Sequence, residues 1–195
     1  ADYPKVHLTL HQGSPREIAD MLVSGEADVG IATESLDTVP ELVSFPFYAW
    51  NHGVIVREGH PLLEREVTLE ALGEYPIITY HEGFTGRARV DKAFADAGIV
   101  PDIVLSAIDA DVIKTYVNLE LGIGIVAEMA FDPENDRNLR LIQVPGLFPP
   151  NVTRLAVRRG TYLRSYALAF IEKVCPDVGE AAITAAIKPQ NGADA

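Results

Sequence analysis

At 195 residues, 48% hydrophobic and 23% charged, the chain is long enough to bury a real core, as one domain or two small lobes. Its net charge of -12 repels phosphate backbones, which argues against nucleic-acid binding by this chain alone. No stretch has the long uncharged apolar run of a membrane span, and the start, Ala1-Asp2-Tyr3-Pro4-Lys5, has no signal-peptide character.

Val6, Leu8 and Leu10 alternate with His7, Thr9 and His11, the pattern of a strand with one face covered. The two histidines, four residues apart on a strand, would stand about 13 Å apart and could not share a metal. Ser14-Pro15-Arg16-Glu17 predicts a helix start, with serine at the cap, proline at the first position and glutamate closing a capping box. Ile18, Met21 and Leu22 are its expected inward residues and Gly25 its stop. A second strand is expected from Ala27 to Thr33, and ligands of open α/β sheets bind beyond the carboxyl ends of strands.

Leu42 to Trp50 and Gly53 to Arg57 read as extended segments. Gly59-His60-Pro61 reads as a turn, and Thr68 to Leu72 as a short helix. The most informative stretch follows. Ile77 to Tyr80 is a run of β-formers, Gly83 and Gly86 bracket a turn, and Val90, Ala93, Phe94 and Ala97 fall at helical spacing before Gly98. Thr85 sits where an N-cap would, so its hydroxyl either closes the helix or joins the unpaired N–H groups in holding an anion.

A strand is expected at Ile103 to Ala107. Asp109 then caps a helix with Val112, Ile113, Tyr116 and Leu119 inward, ended at Gly122. Ile123 to Ala127 is apolar enough for a buried strand, and Gly122 and Gly124 suit a C-cap and tight packing better than a nucleotide loop. Residues 132–151 are polar and proline-rich around a strand at Leu139 to Val144. Val152 to Arg158 is another strand and Tyr162 to Val174 an amphipathic helix. Cys175, the single cysteine, excludes an internal disulfide, fits a reducing compartment and reads as a small core residue. Beyond Pro176 the chain is Ala-rich with no clear anchor and is expected to fray at its end. Alternating strands and helices argue for α/β architecture with parallel sheets.

No nucleophile-and-base pair, metal motif or phosphate loop stands out, so neither catalysis nor a cofactor is expected. What recurs is hydroxyls at strand-to-helix junctions: Ser14, Thr33 and Thr85. Together they suit a small anion or zwitterion held by neutral donors, with Trp50 and Phe84 able to wall such a site or simply to fill the core.

Several motifs, in order along the chain, resemble the effector-binding domain of CysB-like LysR-type transcriptional regulators. They are His11-Gln12-Gly13-Ser14-Pro15, Ala32-Thr33-Glu34, Trp50-Asn51, Gly83-Phe84-Thr85-Gly86-Arg87, Asp109 through Tyr116, and Leu163-Arg164-Ser165-Tyr166. The resemblance implies two Rossmann-like α/β lobes joined by a hinge, as in type 2 periplasmic binding proteins. One lobe would be residues 1–48 with 152–176 and the other 49–151, leaving 177–195 as a tail. It implies a cleft for sulfate, acetylserine or a related metabolite, with Thr33, Trp50 and Thr85 as cleft residues; Ser14 joins them from its cap position. It further implies a cytoplasmic regulator that forms homodimers or tetramers and reads DNA through an N-terminal winged helix-turn-helix. Family members carry a further strand and helix, with a Thr-rich ligand-contacting turn, ahead of the position of Tyr3-Pro4. The alternative on the same fold is an extracytoplasmic solute-binding protein of a transporter.

Overall fold

The computed structural model describes residues 3–33, 36–84, 86–176 and 178–188. The chain forms two compact units, residues 1–48 with 152–195 and residues 49–151.

The second unit is built on a five-stranded sheet in the order β5-β4-β6-β3-β7: β3 (His52–Arg57), β4 (Ile77–Tyr80), β5 (Ile103–Ala107), β6 (Ile123–Ala127) and β7 (Leu139–Gln143). Because successive strand side chains point to opposite faces, neighbours in sequence feed different cores. Val54, Val56, Ile77, Ile123 and Ile125 pack on one face with Leu72 of α2 (Leu69–Gly73) and with Val90 and Phe94 of α3 (Arg87–Asp96). Ile55, Ile78 and Val126 pack on the other with Ile113 and Val117 of α4 (Ala110–Asn118). A sheet covered on both faces explains the unbroken apolar runs of β4 and β6.

The first unit contains α1 (Pro15–Ser24) and most of a three-stranded sheet in the order β1-β8-β2, from β1 (Gly30–Ala32), β2 (Leu42–Trp50) and β8 (Asn151–Arg158), of which Ala49, Trp50 and Asn151 belong to the second unit. Leu22 of α1 packs with Leu42 and Ala156, while Val43, Leu155 and Val157 pack under α5 (Ser165–Val174) and α6 (Glu180–Ile187). Cys175 is buried in this second cluster.

Four expectations are corrected. Residues 6–10 form no strand, and Val6, Leu8 and Leu10 are 41%, 73% and 83% exposed; alternation specifies a strand only where a sheet edge pairs with it, and none does among the described residues. The sheets are mixed: β4 is parallel to β5 and β6, but β3 is antiparallel to β6 and β7. β3 alone of the five strands runs against the rest, inserted between β6 and β7, which themselves point the same way. In α4 the buried pair is Ile113 and Val117, while Val112, Tyr116 and Leu119 are exposed. The chain after Pro176 does have an anchor, since Ile183 and Ile187 of α6 enter the core; the residues beyond 188 lie outside the described set.

The α4 stop also falls elsewhere. Glu120 takes the left-handed conformation at φ 62°, and Gly122 serves close packing instead, because a Cβ there would stand 2.3 Å from the Pro76 carbonyl oxygen. That oxygen accepts from the Ile123 N–H, so Gly122 permits the approach of β6 to the start of β4.

Two outcomes follow for chemical denaturation. Gly122→Ala forces backbone apart at the β4–β6 junction and should cost about 1 to 3 kcal/mol, read as a lower urea midpoint. Ile183→Ala should cost about 2 to 4 kcal/mol if α6 is an integral part of the first unit, against a few tenths for a detached tail.

Candidate functional site

The β4 strand ends at Tyr80, held on both sides. The Tyr80 hydroxyl accepts from the Ala127 N–H at 3.3 Å, and its burial raises the phenol pKa, keeping it neutral. Its carbonyl accepts from Arg87 Nη1 at 2.6 Å. Between Tyr80 and α3 the backbone turns tightly: His81 N–H donates to Ala107 O at 2.8 Å, Phe84 N–H to His81 O at 3.1 Å and Arg87 N–H to Phe84 O at 2.9 Å. Gly83 and Gly86 both adopt positive φ, 80° and 71°, a conformation that favours residues without a Cβ.

The N-cap of α3 is Gly86, one residue after the expected position, and among the described residues no side chain caps the helix. Its first turn holds Arg87 and Arg89 and no acid, the reverse of the preference for carboxylates at the positive end of a helix dipole. Arg87 is 6% exposed and committed: Nε to Asp91 at 2.7 Å, Nη1 to Tyr80 O and to Ser106 Oγ at 3.3 Å. It fastens the helix start to the ends of β4 and β5.

Beneath Gly86 lie two buried polar side chains, Asn151 and His52. A Cβ on Gly86 would stand 2.2 Å from Asn151 Oδ1 and 2.8 Å from His52 Cε1, so their packing against the helix start requires glycine. Asn151 Nδ2 lies 3.2 Å from His52 Nδ1, while Asn151 Oδ1 is buried without a hydrogen-bond partner. The imidazole is clamped edge-on between Trp50, at 5.1 Å, and Phe148, at 5.8 Å. Two surface depressions of about 500 and 560 Å³ in this unit lie elsewhere, the first around Arg57, Tyr75 and Glu120, the second around Arg65 and Gln143. The first lies at the amino ends of the parallel strands β4 and β6, the end opposite to where such sheets bind ligands.

Of the residues singled out from sequence, Trp50 is brought to the α3 start through His52. Thr85 lies outside the described residues. Thr33 and Ser14 belong to the other unit. Thr33 directly follows β1, and Ser14 caps α1, its hydroxyl 2.8 Å from Glu17 Oε2 and accepting from Glu17 N–H at 3.3 Å. That hydroxyl is therefore used in the capping box, which also holds the Glu17 carboxyl below its usual pKa. Sequence reasoning missed His52 and Asn151. His52 was within reach, two residues after Trp50 and on the same side of an extended chain, whereas Asn151 looked like the end of a proline-rich loop. No cluster of three or more His, Cys, Asp or Glu suited to a metal occurs among the described residues.

Residues 1–174 match the LysR substrate binding domain family. The HTH-type transcriptional regulator SsuR of Burkholderia cenocepacia is 54% identical over 187 residues, 95% of this chain and 61% of that protein. The HTH-type transcriptional regulator cbl of Escherichia coli is 48% identical over 171 residues, 87% of this chain and 54% of that protein. The chain thus spans roughly three-fifths or less of the length of these relatives. The crystal structure of the cofactor-binding domain of the Cbl transcriptional regulator superposes with a TM-score of 0.91 at 45% identity, covering 94% of this chain and 81% of that one. A helix start left open after a glycine turn, on two α/β units, is thus carried by a chain that belongs to the LysR substrate-binding-domain family.

Proposed function

We propose that this chain is the effector-sensing part of a LysR-type transcriptional regulator of sulfur metabolism, and that the start of α3 holds a small anion or zwitterion such as sulfate or acetylserine. The observation that carries the reading is the first turn of α3. A helix of ten residues begins on a glycine with no side-chain cap, and two arginines stand where acids are preferred. Such a terminus favours negative charge through oriented N–H groups and the dipole. Trp50 walls the site with His52, and Thr85 adds a hydroxyl donor from the residue before the cap. Thr33 and Ser14, in the other unit, are kept as proposed ligand-binding residues by themselves, Ser14 on the condition that ligand displaces Glu17 from its hydroxyl.

The relatives are named as HTH-type transcriptional regulators, which supports a role in transcription through a DNA-reading domain outside this chain; pairing of regulatory domains is part of the same proposal. A net charge of -12 is consistent with DNA contact lying elsewhere. The domain senses and does not catalyse.

The test is calorimetric titration of the protein with sulfate, thiosulfate and acetylserine, with melting temperature measured in parallel. Saturable binding of at least one is expected, and the absence of heat and of any thermal shift with all three would overturn the ligand class. Thr85→Ala should then weaken binding by about 1.5 to 3 kcal/mol, as for a hydrogen bond to a charged group, or roughly ten- to a hundredfold. Unchanged affinity would remove Thr85 from the site.

A further inference from the structure

We propose that Asn151 is a positioning residue for the anion site at the α3 start, and that its amide turns over, together with the tautomer of His52, when an anion binds. The inference rests on the proposed function and extends it to two residues that do not belong to the hydroxyl set. Its basis is the unpartnered Oδ1 of Asn151, fully buried and set against the N-cap residue of an uncapped helix.

In the observed orientation Nδ2 faces His52 Nδ1 at 3.2 Å and Oδ1 faces Gly86. For that pair to hydrogen-bond, Nδ1 must accept, so the imidazole proton is on Nε2. The carbonyl then directs the negative end of its dipole at the positive end of α3, which partly offsets the missing hydrogen bond. A buried amide oxygen without a donor remains unfavourable. Turning the amide by half a rotation exchanges O and N at almost no change in shape. Oδ1 then accepts from His52 Nδ1–H, and the two Nδ2 hydrogens face the helix start. No net proton is taken up or lost: one leaves Nε2 and one is gained at Nδ1 by exchange with water.

The two arrangements differ in what they offer an anion. The first presents a carbonyl oxygen, which repels it; the second presents N–H donors, which attract it. An anion therefore selects the turned state, and His52 records the change because its ring is clamped by Trp50 and Phe148 and cannot swing away.

The experiment uses protein labelled with ¹⁵N-histidine, the His52 signals being assigned by their loss in His52→Gln. Without ligand, the Nε2–H tautomer is expected at His52; with excess sulfate, the Nδ1–H tautomer. The same tautomer in both conditions overturns the proposal. Sulfate titrations of two variants give the second readout. Asn151→Asp keeps the shape but offers only acceptors, and should bind sulfate more weakly than Asn151→Ala, which itself should fall about tenfold or more below the unaltered protein. A residue that only fills space would give the opposite order, because Asp restores the shape that Ala removes. If the unaltered protein binds sulfate and both variants match it, this inference fails while the anion site stands. If the unaltered protein binds none of the three ligands, the site reading fails and this inference with it. Should Asn151→Asp not fold, the tautomer measurement and Asn151→Ala still decide.

Discussion

The absence of one carbon atom governs the second unit's site. Gly86 lets an asparagine amide and an imidazole occupy space that any other residue's Cβ would fill, with the closest atom 2.2 Å away. Three distant parts of the chain meet there: the start of β3 through His52, the start of β8 through Asn151, and the start of α3. Positive φ at the same residue means that a side chain would be strained even if room were made. The α3 terminus is thus fixed from beneath by packing and, among the described residues, carries no side-chain cap.

Charge is arranged at two scales. The chain carries a large negative excess, yet the α3 first turn is locally cationic. Arg87 does not supply a mobile charge, because its guanidinium is tied to Asp91 on one side and to Tyr80 O and Ser106 on the other. Its contribution is mechanical: a buried fork that sets the angle at which helix follows strand. In the proposed site the positive end of the helix dipole and neutral donors act on a ligand, an arrangement suited to recognition without a full countercharge. If a ligand is held as proposed, its release is eased by such donors, since no buried ion pair has to be broken on dissociation.

Local features were the most legible in the sequence. The Ser14–Glu17 capping box, the Asp109 cap and the Gly25 stop all act within a few residues, and each appears where the pattern indicates. The β4-turn-α3 unit was readable for the same reason, down to both glycines. Misreadings arose wherever a partner decides. Val6, Leu8 and Leu10 alternate but pair with nothing among the described residues. In α4 two apolar stripes compete, and tertiary packing selected Ile113 and Val117 over Val112 and Tyr116. Asn151 meets His52 across 99 residues, a contact that periodicity and capping rules do not encode.

Cys175 illustrates how a modest structural detail becomes a probe. It is the sole thiol of the chain and sits 2% exposed beneath the two C-terminal helices, among Leu155, Ile171 and Ile183. A solvent-borne alkylating reagent can reach it only when that corner of the first unit opens. The rate of its modification therefore times the local breathing of α5 and α6, with no second cysteine to blur the signal.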